Sequence, residues 1–126
     1  MGLTKNLDYI QGMGFDAIWI SPIIDNYDGN YHGYAGRNLY KLNSNFGTEE
    51  DFINFISECH RRGMYVMLDV VANHMGNLDE NFSQNVPFNS SEHFHDFCEI
   101  TDSDFATKNQ YRIENCRLAR LADLKQ

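Results

Sequence analysis

Six consecutive residues, Asp69-Val70-Val71-Ala72-Asn73-His74, set a carboxylate, a carboxamide and an imidazole at the end of an apolar run. A carboxylate inside such a run is costly unless a cation or a hydrogen-bond donor faces it, so Asp69 implies a partner. Asn73 offers a carbonyl oxygen, a hard ligand that suits Ca2+. His74 brings two ring nitrogens for hydroxyl contacts or proton transfer. The same hexapeptide also reads as a structural acid followed by a strand-ending turn. Upstream, Tyr31-His32-Gly33-Tyr34 crowds two phenols and an imidazole into four residues. Sugars have apolar faces and polar rims, and aromatic platforms beside hydrogen-bonding groups match both. A loop with two surface tyrosines is the plainer alternative. Late in the chain Glu114, Asn115 and Asp123 supply oxygen donors that could close a calcium site with Asn73, or could be solvated surface. No EF-hand loop occurs.

These residues need elements to position them. Leu3, Leu7 and Ile10 share the spacing of one helical face, and Gly12 and Gly14 bracket an end, so a short helix is predicted over residues 4–13. Residues 17–20, an unbroken apolar run stopped by Ser21-Pro22, suit a strand buried on both faces. Residues 25–47 hold five Asn, four Gly and four Tyr and read as a long functional loop. A second helix is predicted over residues 48–62. Thr48 and Asp51 fit a capping box, Phe52, Phe55, Ile56 and Cys59 line one face, and Gly63 ends it. Residues 65–71 form a second buried strand. Strand, helix, strand implies a parallel pair with a right-handed crossover. That places Asp69 to His74 at the carboxyl edge, where α/β folds build active sites. Beyond Met75 no period persists, and residues 76–126 read as an irregular excursion held by something other than a large core.

Composition narrows the function classes. With 10 Lys and Arg against 18 Asp and Glu, the formal charge is −8. This disfavours nucleic-acid and anionic-membrane partners. No apolar run approaches the ~20 residues of a membrane helix. Residues 1–14 interleave Lys5, Asp8 and Gln11 among apolar positions, unlike a secretory leader. Three cysteines, Cys59, Cys98 and Cys116, leave at least one unpaired. A bridge between Cys98 and Cys116 would contribute about 3 kcal/mol on the loop-entropy model; the alternative is two free thiols. Asn81-Phe82-Ser83 and Asn89-Ser90-Ser91 are N-glycosylation sequons, which fit a secreted protein and also arise by chance. Phosphate loops, Cys-x-x-Cys pairs, His-Glu-x-x-His helices and Gly-x-Ser-x-Gly elbows are absent from these residues.

Several motifs together carry a resemblance. Asp69 to His74 resembles the first signature region of the α-amylase family of glycoside hydrolases. Residues 7–15 and 17–22 resemble the first helix and second strand of fungal-type members. Tyr31-His32-Gly33-Tyr34, Asn45-Phe46-Gly47-Thr48 and Arg62-Gly63-Met64-Tyr65 continue the likeness in order, closely over residues 1–76 and more loosely over 77–126.

The resemblance implies an α/β fold, a partial (β/α)8 barrel over residues 1–75, followed by part of an irregular inserted domain over 76–126. It implies an α-glucan substrate, starch or glycogen, cut at internal α-1,4 bonds with retention, a Ca2+ cofactor and an extracellular location. By position, Asn73, Glu114 (through its backbone carbonyl) and Asp123 resemble calcium ligands, although Ala122 stands where proline is usual. His74 and Tyr34 resemble residues lining a sugar subsite, with His32 nearby, and Asp69 a structural acid of the active site. A Cys98–Cys116 disulfide is implied. Ala35 replaces the family's Trp, so an aromatic platform is expected to be lost. The family's nucleophile and acid/base lie on its fourth and fifth strands, a third acid after the seventh, and its first strand ahead of the first helix. None falls within residues 1–126, so this chain alone is expected not to hydrolyse glucan. A non-catalytic calcium- or glucan-binding remnant is the other expectation.

Overall fold

A computed structural model describes residues 2–125. The amino-terminal helix forms as two pieces, α1 (Gly2–Lys5) and α2 (Leu7–Gly12). The break falls at Asn6, whose Nδ2 donates to the Gly2 carbonyl at 2.7 Å. Such side-chain amides compete for backbone partners and interrupt helices. Leu7 is buried and Leu3 is not, so the second piece supplies the anchor.

Strand β1 (Ala17–Ile20) follows as expected. The expected long loop does not stay irregular. It contains β2 (Ile24–Asn26) and β3 (Gly36–Leu42), paired antiparallel with two register shifts. Arg37 grips Asp25 through Nε at 2.8 Å and Nη2 at 3.1 Å, a two-pronged ion pair that fixes this ribbon. Leu39-Tyr40-Lys41-Leu42 carried a strand signal that the surrounding Asn and Gly obscured.

Helix α3 (Glu49–Arg61) starts on the predicted capping box: Thr48 Oγ1 accepts from Asp51 N at 3.1 Å, and Asp51 Oδ2 accepts from Thr48 N at 3.0 Å. Such a cap contributes about 1 kcal/mol. Gly63 follows with φ 72°, the left-handed stop that glycine adopts without strain. Strand β4 (Tyr65–Leu68) then pairs parallel to β1, from Ala17 opposite Tyr65 to Ile20 opposite Leu68. Leu7, Phe55, Cys59 and Met64 form the core between helices and sheet, with Ile18, Ile20 and Val66 packed on it.

Two expectations about these strands need correction. Neither strand is buried on both faces. Trp19 is 71 % exposed and Tyr65 74 %, because the helices cover one face and no element among the described residues covers the other. The second strand also ends at Leu68 rather than at residue 71. Asp69 N still donates to Ile20 O at 3.0 Å, after which the chain leaves the sheet. Asp69 therefore lies at the strand's tip, half-buried, rather than inside it.

The later residues are as irregular as expected. They hold β5 (His74–Met75) antiparallel to β6 (Ala122–Asp123), α4 (Asp102–Ala106), α5 (Gln110–Asn115) and two 3-10 turns. A second core gathers Met75, Phe82, Phe94, Ala122 and Leu124, with Leu39 of β3 packed against it. Phe82 and Phe94 stack at 4.3 Å. The Cys98–Cys116 disulfide is present, and Arg117 N donates to Cys98 O at 2.8 Å beside it. Arg117 itself is wholly buried, with its guanidinium 4.9 Å from the Phe97 ring centroid. Its Nη2 lies 2.6 Å from Glu80 Oε1, an ion pair by distance but off the line of a hydrogen bond, so Nε and Nη2 have no hydrogen-bond acceptor among the described residues. No described helix is long and apolar enough to cross a membrane.

The two cores meet where Gly76 N donates to Gly36 O at 2.7 Å. A Cβ on Gly76 would lie 2.3 Å from the Ala35 carbonyl carbon and oxygen, both backbone atoms that cannot swing aside. Gly76→Ala is expected to destabilise the chain by about 2 kcal/mol or more, as overpacking does. Urea unfolding of wild type and variant measures it, and equal midpoints would refute the close approach.

Candidate functional site

The site is built at the carboxyl tips of β1 and β4. Pro22, just beyond β1, receives Gly33, whose φ is 90° and whose added Cβ would lie 2.5 Å from Pro22 O. Only glycine tolerates both conditions. Buried Asn26 then clamps the turn from β2: its Oδ1 accepts from Ala35 N at 2.9 Å and its Nδ2 donates to Gly33 O at 3.3 Å. Tyr34 is held between these points and faces the tip of β4.

The structure brings Tyr34, His32, His74 and Asp69 together. Tyr34 Oη donates to Asp69 Oδ2 at 2.8 Å, which is the partner that Asp69 required. His32 stacks on Tyr34 with ring centroids 5.8 Å apart, and its Nδ1 accepts from Tyr34 N at 3.0 Å. His74 Nε2 donates to the Tyr34 carbonyl at 2.9 Å. The hydrogen bond from Tyr34 to Asp69 pushes the phenol pKa up, with burial and the aspartate charge acting in the same direction. The edges of Tyr34 and His32 remain open to solvent, a polar and aromatic surface that suits a hydroxyl-rich ring. Ala35 is buried and offers no platform.

The network continues away from this surface. Asn73 Nδ2 donates to Asp123 Oδ1 at 3.0 Å, leaving Asn73 Oδ1 with no hydrogen-bond donor among the described residues. Asp123 is 5 % exposed. Its other oxygen, Oδ2, lies 2.7 Å from His95 Nδ1, and His95 N also donates to Asp123 O at 3.1 Å. Of the three expected calcium ligands, then, Asn73 and Asp123 are in contact. Glu114 is joined to neither by a hydrogen bond among the described residues, and its side chain accepts from Gln110. No group of three or more His, Cys, Asp or Glu side chains among the described residues forms a metal cage. The donor chemistry of Asn73 and Asp123 fits a hard cation, two oxygens backed by fixed partners.

Sequence reasoning missed Asn26 and His95. Asn26 sits in a stretch with four other asparagines, and nothing local marks it. His95 stands three residues before Cys98, and its role depends on a strand pairing with Asp123 that no period announces. A hollow of about 360 Å3 lined by Ile20, Leu42, Phe46, Phe52 and Phe55 lies elsewhere, against α3. Asp51 and Thr48 also border it, but both are engaged in the capping box of α3, so the Tyr34–His74 cluster remains the candidate site.

A parallel strand–helix–strand unit with polar and aromatic groups gathered at the strands' carboxyl tips defines a segment of an α/β fold of the barrel or open-sheet kind. Comparison with known proteins makes the class specific. The family model described as "Alpha amylase, catalytic domain" matches residues 1–117, and the chain belongs to that family. It is 46 % identical over 127 residues to Alpha-amylase 1 of Lipomyces kononenkoae, covering 93 % of this chain and 20 % of that relative. It is 52 % identical over 108 residues to Alpha-amylase mde5 of Schizosaccharomyces pombe, covering 79 % and 21 %. The chain thus spans about a fifth of the curated relatives it matches. Among solved structures, an α-amylase from Malbranchea cinnamomea superposes with a TM-score of 0.84 at 42 % identity, over 98 % of this chain and 28 % of that one. The Geobacillus thermoleovorans α-amylase solved with acarbose gives 0.84 at 39 %, over 99 % and 26 %.

The Tyr34–Asp69 bond has a spectroscopic consequence. A phenol donating to a carboxylate is deprotonated only at higher pH than usual, so the bond is present below that pH and lost as alkali removes the proton. Tyr27 also titrates late, chiefly through burial. Ultraviolet difference titration of tyrosinate should show Asp69→Asn returning one tyrosine toward its ordinary pKa, with Tyr34→Phe deleting that same component. An unchanged profile in Asp69→Asn would show the bond absent in solution.

Proposed function

We propose that this chain supplies the sugar-gripping part of an α-amylase that hydrolyses internal α-1,4-glucosidic bonds of starch or glycogen with retention. The observation that carries this is the Tyr34–Asp69–His74 cluster at the carboxyl tips of the parallel strands, supported by the family membership of residues 1–117. In this reading Tyr34 and His32 present ring surface to a glucosyl unit. The bond from its Nε2 to the Tyr34 carbonyl fixes His74 beside them. Asp69 is a positioning residue that holds the Tyr34 ring rather than an acid that attacks. Residues 76–125 serve as part of the domain inserted after the third barrel strand, and the whole enzyme works outside the cell.

A retaining mechanism needs two carboxyl groups about 5 Å apart, one nucleophile and one acid/base. Asp69 is committed to Tyr34, and Asp123 to Asn73 and His95. Neither is free to attack an anomeric carbon or protonate a leaving oxygen. The 126-residue polypeptide by itself is therefore expected to release no reducing sugar from soluble starch. A reducing-end assay on the purified chain tests this, and turnover abolished by Asp69→Asn would overturn the assignment of Asp69.

Calcium is part of the same reading. Asn73 through Oδ1, Asp123 through its carboxylate and Glu114 through its backbone carbonyl would hold it. Glu114 is in the last turn of α5, where helix carbonyls lose their intrahelical partners. A bound divalent cation there supplies charge neutralisation and a cross-link between the β4 exit and the irregular segment. Adding calcium is expected to raise the thermal midpoint of the wild-type chain, chelator to reverse the rise, and Asp123→Asn to abolish it, since a ligand that binds only the folded state stabilises it by mass action. A wild-type midpoint indifferent to millimolar calcium would sink the calcium reading and leave the glucan reading standing.

A further inference from the structure

The structure assigns Asn81 as the attachment site of an N-linked glycan. Asn81-Phe82-Ser83 satisfies the acceptor rule, and the fold adds what a sequence match cannot. Asn81 Oδ1 accepts from Ser83 Oγ at 2.7 Å and from Ser83 N at 3.2 Å. The carbonyl end of the carboxamide is thus turned into its own tripeptide, and Nδ2 has no partner among the described residues. Asn81 and Ser83 are both exposed. The middle residue points the other way: Phe82 is buried against Phe94 in the second core. A further bond from Asn81 N to Asp79 Oδ1 at 3.0 Å tightens the turn. The side chain that must carry an oligosaccharide therefore stands outward on a turn nailed down by its neighbour, and a glycan there displaces no packing contact.

The second sequon differs. Asn89 is also exposed, but no hydrogen bond among the described residues links it to Ser91, which opens a 3-10 turn. Its preparation for a glycan rests on exposure alone.

The donor is an oligosaccharide linked to a lipid pyrophosphate. A bond forms from the sugar C1 to Asn81 Nδ2, and the C1–O bond to pyrophosphate breaks. The amide nitrogen loses one proton and the lipid pyrophosphate leaves with the bonding electron pair. No redox partner is required. The assignment needs the chain to enter a secretory compartment, and it stands independently of calcium and glucan binding.

The test is translation of the full chain behind a secretory leader in the presence of endoplasmic-reticulum microsomes. Transfer takes place on the emerging chain, where the Asn81–Ser83 turn needs only its own three residues, so a variant's global folding does not decide the readout. Wild type should show a mobility step that amide-cleaving glycosidase removes, converting Asn81 to Asp in the peptide mass spectrum. Asn81→Gln and Ser83→Ala should each lose one step, Ser83→Thr should keep it, and Asn89→Gln serves as the control for the other sequon. Wild-type chain without any step, or Asn81→Gln migrating with wild type, overturns the assignment.

Discussion

The hydrogen bond from Asn73 Nδ2 to Asp123 Oδ1 joins residues 50 apart in sequence and fixes how the two parts of this chain meet. Closing a loop of that length costs about 3.5 kcal/mol beyond a length-independent constant. One hydrogen bond to a charged acceptor returns about 1.5–3 kcal/mol, so the bond cannot hold the closure alone. It succeeds because Met75 and Ala122, the neighbours of His74 and Asp123 in the β5–β6 ladder, are buried with Leu124 in one core. Burial excludes the water that would compete for Asp123, and the polar pair fixes the register that apolar contacts alone leave free. The Tyr34–His74 cluster depends on this closure too, since His74 hands its Nε2–H to the Tyr34 carbonyl from that same ladder.

Residues 76–125 have few other means of staying folded. Their helices are five and six residues long, too short to be stable by themselves. The Cys98–Cys116 bridge limits the unfolded chain, and Arg117 beside it plugs the interior. A fully buried guanidinium is expensive, and its partner Glu80 is itself largely solvated, which weakens their attraction. The Phe97 ring face at 4.9 Å offsets part of that cost, about 2 kcal/mol for a desolvated cation–π contact. Arg117 is therefore a constraint on arrangement more than a source of stability. Losing Glu80 or Phe97 would leave the charge buried with less to face it.

Legibility in the sequence followed the range of the interactions. Thr48, Asp51, Phe55, Cys59 and Gly63 marked α3 because a cap, a stripe and a stop all lie within sixteen residues. The apolar runs marked β1 and β4 for the same reason, and their parallel pairing followed from the helix between them. Their exposure was not legible, because burial depends on what covers a face and no run of residues reports that. The β2–β3 ribbon was hidden by Asn and Gly, and its two register shifts break the alternation that announces a strand. Among the candidate site residues, Tyr34, His74, Asp69, Asn73 and Asp123 were reachable through family motifs. Asn26 and His95 were not, because each acts by reaching backbone or carboxylate groups set by tertiary pairing.

The same geometry separates grip from chemistry. Acid–base work needs a carboxyl group whose proton can move, with nothing fixed in its way. The carboxylates in and behind the cluster are instead already engaged: Asp69 through Oδ2 by a phenol, Asp123 through both oxygens by an amide and an imidazole. Satisfied groups are rigid, and rigidity is what a binding surface requires, since an ordered ring or amide loses little further freedom when a sugar docks. Rigid positioning also lets a separate reactive pair find the anomeric carbon at a fixed place. The uncovered face of β1 and β4, with Trp19, Tyr65 and Met67 turned outward, is the face that would line the packed interior of such a barrel, whose other strand tips would bring that pair. A rigid polar and aromatic surface that supplies no reactive carboxyl group is thus a coherent physical object, and in the proposed reading it is one half of a division of labour that a (β/α)8 architecture makes by drawing its site from many strand tips.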